Sequence, residues 1–418
     1  MRASRTILMV VLVMTLAFVI SGCNNAGDTD GETITLRLEQ FSGTGGNEGA
    51  LNEMIAAFNE IHPDIIVEVQ SFGFGEYFTQ LQAKIVGGVA PDVFELNFEN
   101  FAMFASEGVL LDIGNLLGDV SGFNATALNA FVFNGRQYAV PNSFSNVVLF
   151  YNRDLFDQAG IAYPGNNWSW RDMEAAGQAI RALGDNIFGL YRPLSFHEFY
   201  KAAAQSGSSL MNDDMNLFTV NTPENIAALQ EMVAWQIDSN IMPTSAQMGG
   251  MGDWDLFVSG RLGMLVTGIW AFGHFTDNAD FEWDIAVEPG NTRTATHFFS
   301  NAYAVNSETA HPEAAAALAA FLAGSREAAS IRVEASWELP PVNFADVLAS
   351  YLAITPPANR QAVFDSLNYL VTPPVVAQQS EMQDIISRHL ERAAIGGVSA
   401  QDALNDMQTE LESRINLK

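Results

Sequence analysis

Several residue types in this chain could perform catalysis, but none has the spacing that a known catalytic motif requires. His197-Glu198 begins like the H-E-x-x-H pair of zinc peptidases, yet Lys201 occupies the place of the second histidine. No G-x-S-x-G segment occurs, and the single cysteine, Cys23, leaves no thiol nucleophile in the body of the chain. Gly43–Gly49 is not followed by the Lys-Ser/Thr of a phosphate-binding loop, which favours a plain strand-to-helix turn. Paired carboxylates for glycoside hydrolysis remain open, because the 48 acids offer many pairs.

The composition restricts the partners of the chain. Acidic residues outnumber Lys and Arg by 48 to 19, which gives a formal net charge of −29 and a pI near 4.3. Such a chain repels phosphate backbones, so nucleic acid is excluded as a partner. One cysteine excludes a disulfide scaffold and thiolate sets for zinc or iron–sulfur clusters, and we predict no metal and no cofactor. With 48% apolar residues, the 418-residue chain has enough material for two or three domain-sized units.

The N-terminus has the pattern of an export signal. Arg2 and Arg5 precede an apolar run over Ile7–Ile20, which is too short for a membrane span. Ile20-Ser21-Gly22-Cys23 then resembles a bacterial lipobox, in which Cys23 is lipid-modified and becomes the mature N-terminus. We therefore predict a lipoprotein signal peptide at 1–22 and a polar tether at 23–32. The alternative is an ordinary secretory signal with an incidental cysteine. Cleavage removes two arginines and no acid, which leaves 396 residues and a charge of −31.

The remaining chain alternates strand and helix patterns. Leu36 and Leu38 alternate with polar residues, as in a strand, and a glycine-rich turn leads to a helix that Pro63 ends. Further short strands are predicted at 65–69 and 93–96. This alternation predicts an α/β layer with a largely parallel sheet. Residues typical of helix N-termini predict where three later helices begin, at Ser169, Thr222-Pro223 and Ser399.

Eight short segments carry a family resemblance. They are Ala57–Ile65 (AFNEIHPDI), Gly88–Val93 (GVAPDV), Gly108–Ile113 (GVLLDI), Gly135–Pro141 (GRQYAVP), Phe150–Phe156 (FYNRDLF), Asn167–Asp172 (NWSWRD), Phe257–Met264 (FVSGRLGM) and Ser399–Leu404 (SAQDAL). In this order they resemble the family-1 extracellular solute-binding proteins, the lipoprotein receptors of ABC importers for carbohydrates. The resemblance covers essentially the whole mature chain.

The resemblance implies a two-lobed, periplasmic-binding-protein-like α/β fold in which discontinuous lobes close on a ligand cleft. We assign 33–142 and 289–340 to lobe 1, and 143–288 and 341–418 to lobe 2. The chain is expected to cross between lobes near Pro141–Ser145, Glu288–Thr296 and Pro340–Phe344. A monomer is expected, held at the cell membrane by Cys23, on the cell surface or in the periplasm, with membrane permease subunits as partners.

A sugar is held by aromatic rings that stack on its faces and by polar side chains that bind its hydroxyls. In open α/β sheets such groups follow the carboxyl ends of strands. This rule and the family positions give the candidates Gln40, Phe41, Phe72, Asn97, Phe98, Glu99, Asn142, Ser145, Tyr191, Arg192, Trp270, Asn301 and Trp337. Trp270, after the Phe257–Met264 segment, is the principal candidate. Core packing is the alternative for the three phenylalanines, and a structural ion pair is the alternative for Arg192.

Two features leave the ligand open. Ser300-Asn301-Ala302-Tyr303 stands where the family commonly has Gly-Gly-Trp, and a late C-terminal aromatic is missing near Pro373-Pro374. The sequence therefore predicts a carbohydrate receptor that is not an enzyme. Its alternatives are an extracellular glycosidase and a receptor of the same fold for a non-sugar such as a polyamine.

Overall fold

The computed structural model describes residues 33–417, so the predicted signal peptide, Cys23 and the tether lie outside the described residues. The strands are β1 (Ile34–Gln40), β2 (Ile65–Ser71), β3 (Val93–Asn97), β4 (Val132–Phe133), β5 (Arg136–Gln137), β6 (Ala139–Asn152), β7 (Phe188–Tyr191), β8 (Leu262–Gly268), β9 (Trp283–Ala286), β10 (Thr296–Val305) and β11 (Leu370–Val371).

Helices alternate with the strands along the chain. They are α1 (Glu48–Ile61), α2 (Phe74–Val86), α3 (Phe98–Ser106), α4 (Ala125–Asn129), α5 (Arg153–Ala159), α6 (Trp170–Arg181), α7 (Phe196–Gln205), α8 (Pro223–Ile237), α9 (Ser245–Met248), α10 (Asp253–Val258), α11 (Phe272–Asn278), α12 (Pro312–Gly324), α13 (Arg326–Glu334), α14 (Ala345–Ala353), α15 (Gln361–Ser366), α16 (Gln379–Ala394) and α17 (Ala400–Arg414). Short 3₁₀ helices occupy Ile269–Ala271 and Leu367–Tyr369.

The main sheet has nine strands in the order β2-β1-β3-β10-β6-β8-β7, with β11 added beside β10 and β9 beside β6. β1 runs parallel to β2 and β3, and β7 runs parallel to β8. β10 and β6 are antiparallel to their main neighbours. The sheet is therefore mixed. The prediction of a largely parallel sheet was wrong at the centre of the sheet, where the two long strands β6 and β10 run antiparallel to their neighbours.

β6 and β10 join the two lobes. The first half of β6 pairs with β10, and its second half pairs with β8 and β9. Lobe 1 is built on β2, β1 and β3, whereas lobe 2 is built on the second half of β6 with β8, β7 and β9. The pairing of β6 with β10 shifts register between Asn301 and Ala302, next to the predicted crossing Pro141–Ser145. A register shift of this kind locally disrupts the ladder of hydrogen bonds where the lobes meet.

The first strand–helix unit forms as its sequence pattern predicts. Leu36 and Leu38 are fully buried, while Thr35 and Arg37 face outward. The helical spacing of α1 buries Leu51, Met54, Ile55 and Phe58 against the same core. Apolar residues repeat every second position in β1 and about every 3.6 positions in α1. Each repeat therefore places the apolar side chains of its element on one face, and both faces pack into the same core.

Lobe 2 contains a second helical core. Ser169 makes the predicted capping box with Asp172, and Thr222 and Ser399 cap α8 and α17 through their side chains. α7, α8, α16 and α17 pack together around a separate apolar cluster. The predicted helix starts are confirmed, because capping is a local property of a few residues.

One predicted lobe boundary differs from the packing. Residues 341–418 were assigned to lobe 2, yet α14 packs against α13, which belongs to the predicted second segment of lobe 1. The Asn124 amide also donates to the Pro341 carbonyl at 2.8 Å, and the Asn343 amide donates to the Gly122 carbonyl at 2.9 Å. Residues 341–353 therefore pack on elements of the predicted lobe 1, and the assignment of the remaining residues up to 418 to lobe 2 stays a prediction.

Each helix within 33–417 is too short or too polar to cross a lipid bilayer. In the same part of the chain, no group of three or more His, Cys, Asp and Glu side chains is arranged to hold a metal ion.

Candidate ligand-binding cleft

A cavity of about 410 Å³ lies between the lobes, a size typical of small-molecule sites. Lobe 1 contributes the β1–α1 loop and the start of α2, and lobe 2 contributes the end of β8, the start of α10 and the β7–α7 segment. The lining residues are Phe41, Ser42, Thr44, Gly45, Asn47, Phe74, Val147, Pro193, Ser195, His197, Glu198, Asp253, Trp254, Val266, Thr267, Gly268, Trp270, His297, Phe299, Asn301 and Glu338. Three of them, Phe41, Trp270 and Asn301, were predicted from the sequence.

Trp270 forms one aromatic wall of this cavity. It lies in the 3₁₀ turn that follows β8, is half-buried, and meets Phe299 edge to face with ring centroids 5.0 Å apart. Its ring folds back over the end of β8, where a Cβ on Gly268 would lie 2.0 Å from the ring. Gly268 itself has ordinary extended angles, φ −88° and ψ 161°. The glycine is therefore needed for the close approach of the ring, not for its backbone conformation.

Trp254 is a second aromatic wall that the sequence did not predict. It lies in the first turn of α10, and its Nε1–H donates to Thr267 Oγ1 at 3.4 Å. On the opposite lobe, a Cβ on Gly45 would lie 3.4 Å from the Trp254 ring. Gly45 has φ +77°, which suits glycine. The only sequence signal was proximity to the Phe257–Met264 segment, because α10 and the β1–α1 loop meet only in the folded protein.

A buried glutamate holds the lobe 1 loop in place. Glu95, in β3, accepts hydrogen bonds from the Phe41 amide at 3.0 Å and the Ser42 amide at 2.9 Å. Ser42 Oγ donates at 2.6 Å and Asn142 Nδ2 at 2.9 Å. The Phe41 ring packs against Phe74 with centroids 5.2 Å apart. Four donors on one carboxylate fix the loop that presents Phe41 to the cavity.

Two acidic side chains give the cavity hydrogen-bond acceptors. Burial raises the pKa of Asp253, at the start of α10. Burial also raises the pKa of Glu338, although the nearby Arg332 opposes the shift. Asn301 adds an amide, whose Nδ2 donates to Ser143 Oγ at 3.4 Å. Aromatic walls with a few carboxylates and amides form a suitable lining for a polyhydroxylated ligand.

Glu99 connects the lobes. It lies in the first turn of α3, with Oε2 at 3.1 Å from His197 Nε2, and it accepts from Gln383 Nε2 of α16 at 2.7 Å. His297 Nε2 is 3.8 Å from Glu99 Oε1, and its Nδ1 contacts the Tyr200 hydroxyl. Burial lowers the pKa of His297, and the His197 and Lys201 charges add to the shift. Glu99, predicted as a ligand contact, here bonds across the cleft to lobe 2.

A buried ion cluster supports the lobe 2 side of the cavity. Arg192 Nε donates to Glu198 Oε2 at 2.9 Å, and Lys201 Nζ lies 2.7 Å from Glu198 and 2.8 Å from Glu288. Burial acts to raise the pKa of Glu198, but the Lys201 and Arg192 charges outweigh it and lower the pKa. Gln205 joins the cluster by donating to Glu288 at 2.9 Å. The structural ion pair considered for Arg192 is the arrangement found.

The other predicted residues do not line the cavity. Gln40 bonds within its own loop, Asn97 caps α3, and Asn142 binds Glu95. Ser145 and Tyr191 lie in sheet pairings, opposite Phe299 and Leu265. These positions had been chosen because they follow strands or lie at the lobe crossing, but the side chains of Gln40, Asn97 and Asn142 bond to other groups of the protein.

The remaining predicted aromatics also pack inside the protein. Phe72 and Phe98 join the apolar cluster of lobe 1, which is the core alternative considered for them. Trp337 is fully buried beneath Arg332, whose guanidinium lies 4.1 Å from the ring centroid. The neighbouring Glu338 lines the cavity instead.

The comparisons with known proteins agree with this architecture. A family model described as bacterial extracellular solute-binding protein matches residues 44–329. The solved ABC substrate-binding protein Lmo0181 of Listeria monocytogenes, in complex with cycloalternan, is 42% identical with a TM-score of 0.88. The alignment covers 91% of this chain and 98% of that one.

Two curated relatives are more distant. The galactooligosaccharide-binding protein of Bacillus subtilis is 21% identical over 376 residues, which cover 88% of this chain and 87% of the relative. An uncharacterized lipoprotein in the oleD 5′ region of Streptomyces antibioticus is 26% identical over 356 residues, which cover 81% and 76%.

Proposed function

Because this chain belongs to the bacterial extracellular solute-binding proteins, we propose that it captures an oligosaccharide between its lobes and delivers it to an ABC importer. The single observation that carries the proposal is the cavity between the lobes, with Trp254 and Trp270 as aromatic walls and carboxylates beside them. Flat aromatic faces suit the C–H faces of sugar rings, and carboxylates accept bonds from their hydroxyls. A ligand that touches both lobes stabilises the closed form.

The 42% identical neighbour narrows the choice of ligand. Its structure was solved in complex with cycloalternan, and its alignment covers nearly the whole of both chains. We therefore take cycloalternan as the first probe for this protein. Linear gluco-oligosaccharides and galactooligosaccharides are the next probes, since a relative is named for the latter.

The proposal includes membrane attachment through Cys23, outside the described residues. A lipid chain on Cys23 would hold the receptor outside the cytoplasmic membrane, near the permease subunits that take up its ligand. The test is to compare the natural chain with Cys23→Ser after expression in a bacterial host. The natural chain should partition into the detergent phase and the serine variant into the aqueous phase. Equal partitioning would contradict the anchor.

Calorimetry on the secreted Cys23→Ser protein tests the binding function. We expect one oligosaccharide per chain, and no new product when the mixture is analysed by chromatography afterwards. Trp270→Ala and Trp254→Ala should each weaken binding by roughly 30-fold or more, as removal of a central tryptophan does at binding sites. Leu217→Ala, at an exposed leucine that does not line the cavity, is the control.

Three outcomes separate the candidate functions. Binding without turnover supports the receptor. Release of a shorter sugar supports a glycosidase. Binding of spermidine alone, with no response to any oligosaccharide, supports a polyamine receptor and contradicts the sugar proposal.

A further inference from the structure

Glu338 occupies an unusual position in the floor of the cavity. It lines the cavity although only 4% of the residue is exposed. Its backbone has φ +54°, and Ser336 two residues before it has φ +55°. Left-handed angles are rare for residues other than glycine, and they persist where surrounding structure holds a side chain in a required place. Here they bury Trp337 and direct the next side chain toward the cleft.

The carboxylate of Glu338 has unused hydrogen-bond capacity. Within residues 33–417, its Oε2 atom has no hydrogen-bond partner. The nearest cation is Arg332, whose Nη1 lies 3.7 Å from Oε2, too far for a hydrogen bond. A carboxylate can accept about four hydrogen bonds, and a buried acceptor left unsatisfied costs roughly 1–3 kcal/mol.

The surroundings of Glu338 are polar rather than apolar. The Ser143 and Ser145 hydroxyls lie near its carboxylate and act as donors to lower its pKa against the effect of burial, although neither makes a hydrogen bond to Oε2 in the described residues. The Ser145 hydroxyl is also without a hydrogen-bond partner among the described residues. Asn301 lines the same cavity and reaches Ser143 only through a long 3.4 Å bond. Acceptors and donors with spare hydrogen-bond capacity are therefore gathered around Glu338, and two of these residues, Glu338 and Asn301, line the cavity.

A role as the counter-ion of Arg332 does not account for this arrangement. Arg332 stacks on Trp337 at 4.1 Å, and within 33–417 both of its terminal nitrogens lack hydrogen-bond partners. The pair balances charge without satisfying the hydrogen bonds of either group. In a purely structural pair, buried carboxylate and guanidinium normally meet at hydrogen-bond distance.

We propose that Glu338 is a ligand-binding residue that accepts hydrogen bonds from hydroxyl groups of the captured sugar at the floor of the cleft. This inference rests on the proposed function, since it requires a polyhydroxylated ligand. Glu338 thereby supplies the directional polar contact that the aromatic walls lack, and Asn301, which also lines the cavity, can bind a neighbouring hydroxyl.

Two substitutions separate a ligand contact from a counter-ion. Glu338→Gln removes the charge and replaces one acceptor oxygen by a donor. Glu338→Asp keeps the charge near Arg332 but withdraws the carboxylate by one methylene. Glu39→Gln is the matched control, because Glu39 is also buried and is paired with Lys84 at 2.6 Å, yet it does not line the cavity.

The experiment is calorimetric titration of cycloalternan, and of the oligosaccharide series if cycloalternan gives no heat, into the Cys23→Ser protein and its three variants. We expect both Glu338 variants to lose roughly 10- to 100-fold in affinity, and Glu39→Gln to stay within about twofold. Thermal unfolding of the free proteins verifies that each variant is folded.

Each alternative result has a defined meaning. Unchanged affinity in folded Glu338→Gln would overturn the inference while leaving the proposed function intact. Loss in Glu338→Gln with full affinity in Glu338→Asp would assign Glu338 to charge balance and also overturn it. An equal loss in Glu39→Gln would attribute the effect to buried charge in general. If the parent binds no oligosaccharide, the proposed function fails and the inference fails with it.

Discussion

Replacement of Gly268 by alanine should impair binding through the displacement of one ring. The added Cβ would lie 2.0 Å from the Trp270 ring, well inside the contact distance of two carbon atoms. Alanine adopts the backbone angles of Gly268, φ −88° and ψ 161°, without strain. The backbone therefore has no reason to move, and the Trp270 side chain must rotate away from β8 and from its edge-to-face contact with Phe299.

The size of the effect follows from what the ring contributes. A tryptophan at the centre of a binding site is worth about 2 kcal/mol or more, which corresponds to roughly 30-fold in Kd. Loss of the packing of Trp270 against Phe299 should cost the free protein about 1 kcal/mol of unfolding free energy. Binding should thus fall by roughly 30-fold in Gly268→Ala, with a small change in stability.

A double-mutant cycle tests this reasoning. Affinity for the tightest oligosaccharide is measured in the parent, Gly268→Ala, Trp270→Ala and the double variant. Once the ring is absent, the methyl group has nothing to displace, so Gly268→Ala should have almost no effect in the Trp270→Ala background. Additive losses, or full affinity in Gly268→Ala alone, would refute the role of the glycine in positioning the ring.

Three further substitutions test other parts of the structure. Glu95→Gln places an amide group against donors that now bond to a carboxylate, so we expect urea denaturation to show a loss of roughly 2 kcal/mol of unfolding free energy; an unchanged midpoint would contradict the loop anchor. Glu99→Gln weakens the contact with His197 across the cleft, so affinity for the oligosaccharide should fall roughly tenfold and small-angle scattering should show a more open free protein. Unchanged scattering and affinity would contradict a role of this contact in holding the lobes together. The hydrogen bond from Arg388, followed by that from His389, lowers the pKa of Glu410 to about 2, so its stabilising contribution is complete above the ordinary glutamate pKa and is lost as pH falls toward 2. Glu410→Gln should therefore lower the melting temperature at pH 7, with a difference that shrinks below about pH 4.5; a constant difference would disprove the linkage.

Local sequence patterns predicted local structure well. The alternation around Leu36 and Leu38 and the spacing of Leu51 to Phe58 describe β1 and α1, because each pattern depends on residues within one element. The side-chain cap at Ser169 depends on residues only three positions apart. The family resemblance, spread over eight segments, correctly predicted the two-lobed fold that the structural neighbours share.

Contacts between distant segments were harder to predict. The sheet is mixed because β6 and β10 run antiparallel to each other where the lobes join. The direction of a strand within a sheet cannot be predicted from the residues of that strand alone. Trp254 reaches the cavity only because α10 faces Gly45, more than two hundred residues earlier in the chain. Glu99 was selected for its place after β3, but the atoms that meet it belong to α7 and α16.

The sequence alone was enough to indicate the class of the molecule: an α/β chain with strong negative charge, a solute-binding family pattern, a predicted export signal and Trp270 as the principal candidate for a ligand contact. The identity of the polar residues that line the cavity became visible only in the folded chain. The sequence pointed to Trp337 as a ligand contact and not to its neighbour Glu338, but in the folded chain, with left-handed angles at positions 336 and 338, Trp337 is buried and Glu338 lines the cleft. Side-chain direction in such a segment depends on the backbone angles that the whole fold imposes, and those are absent from any local pattern.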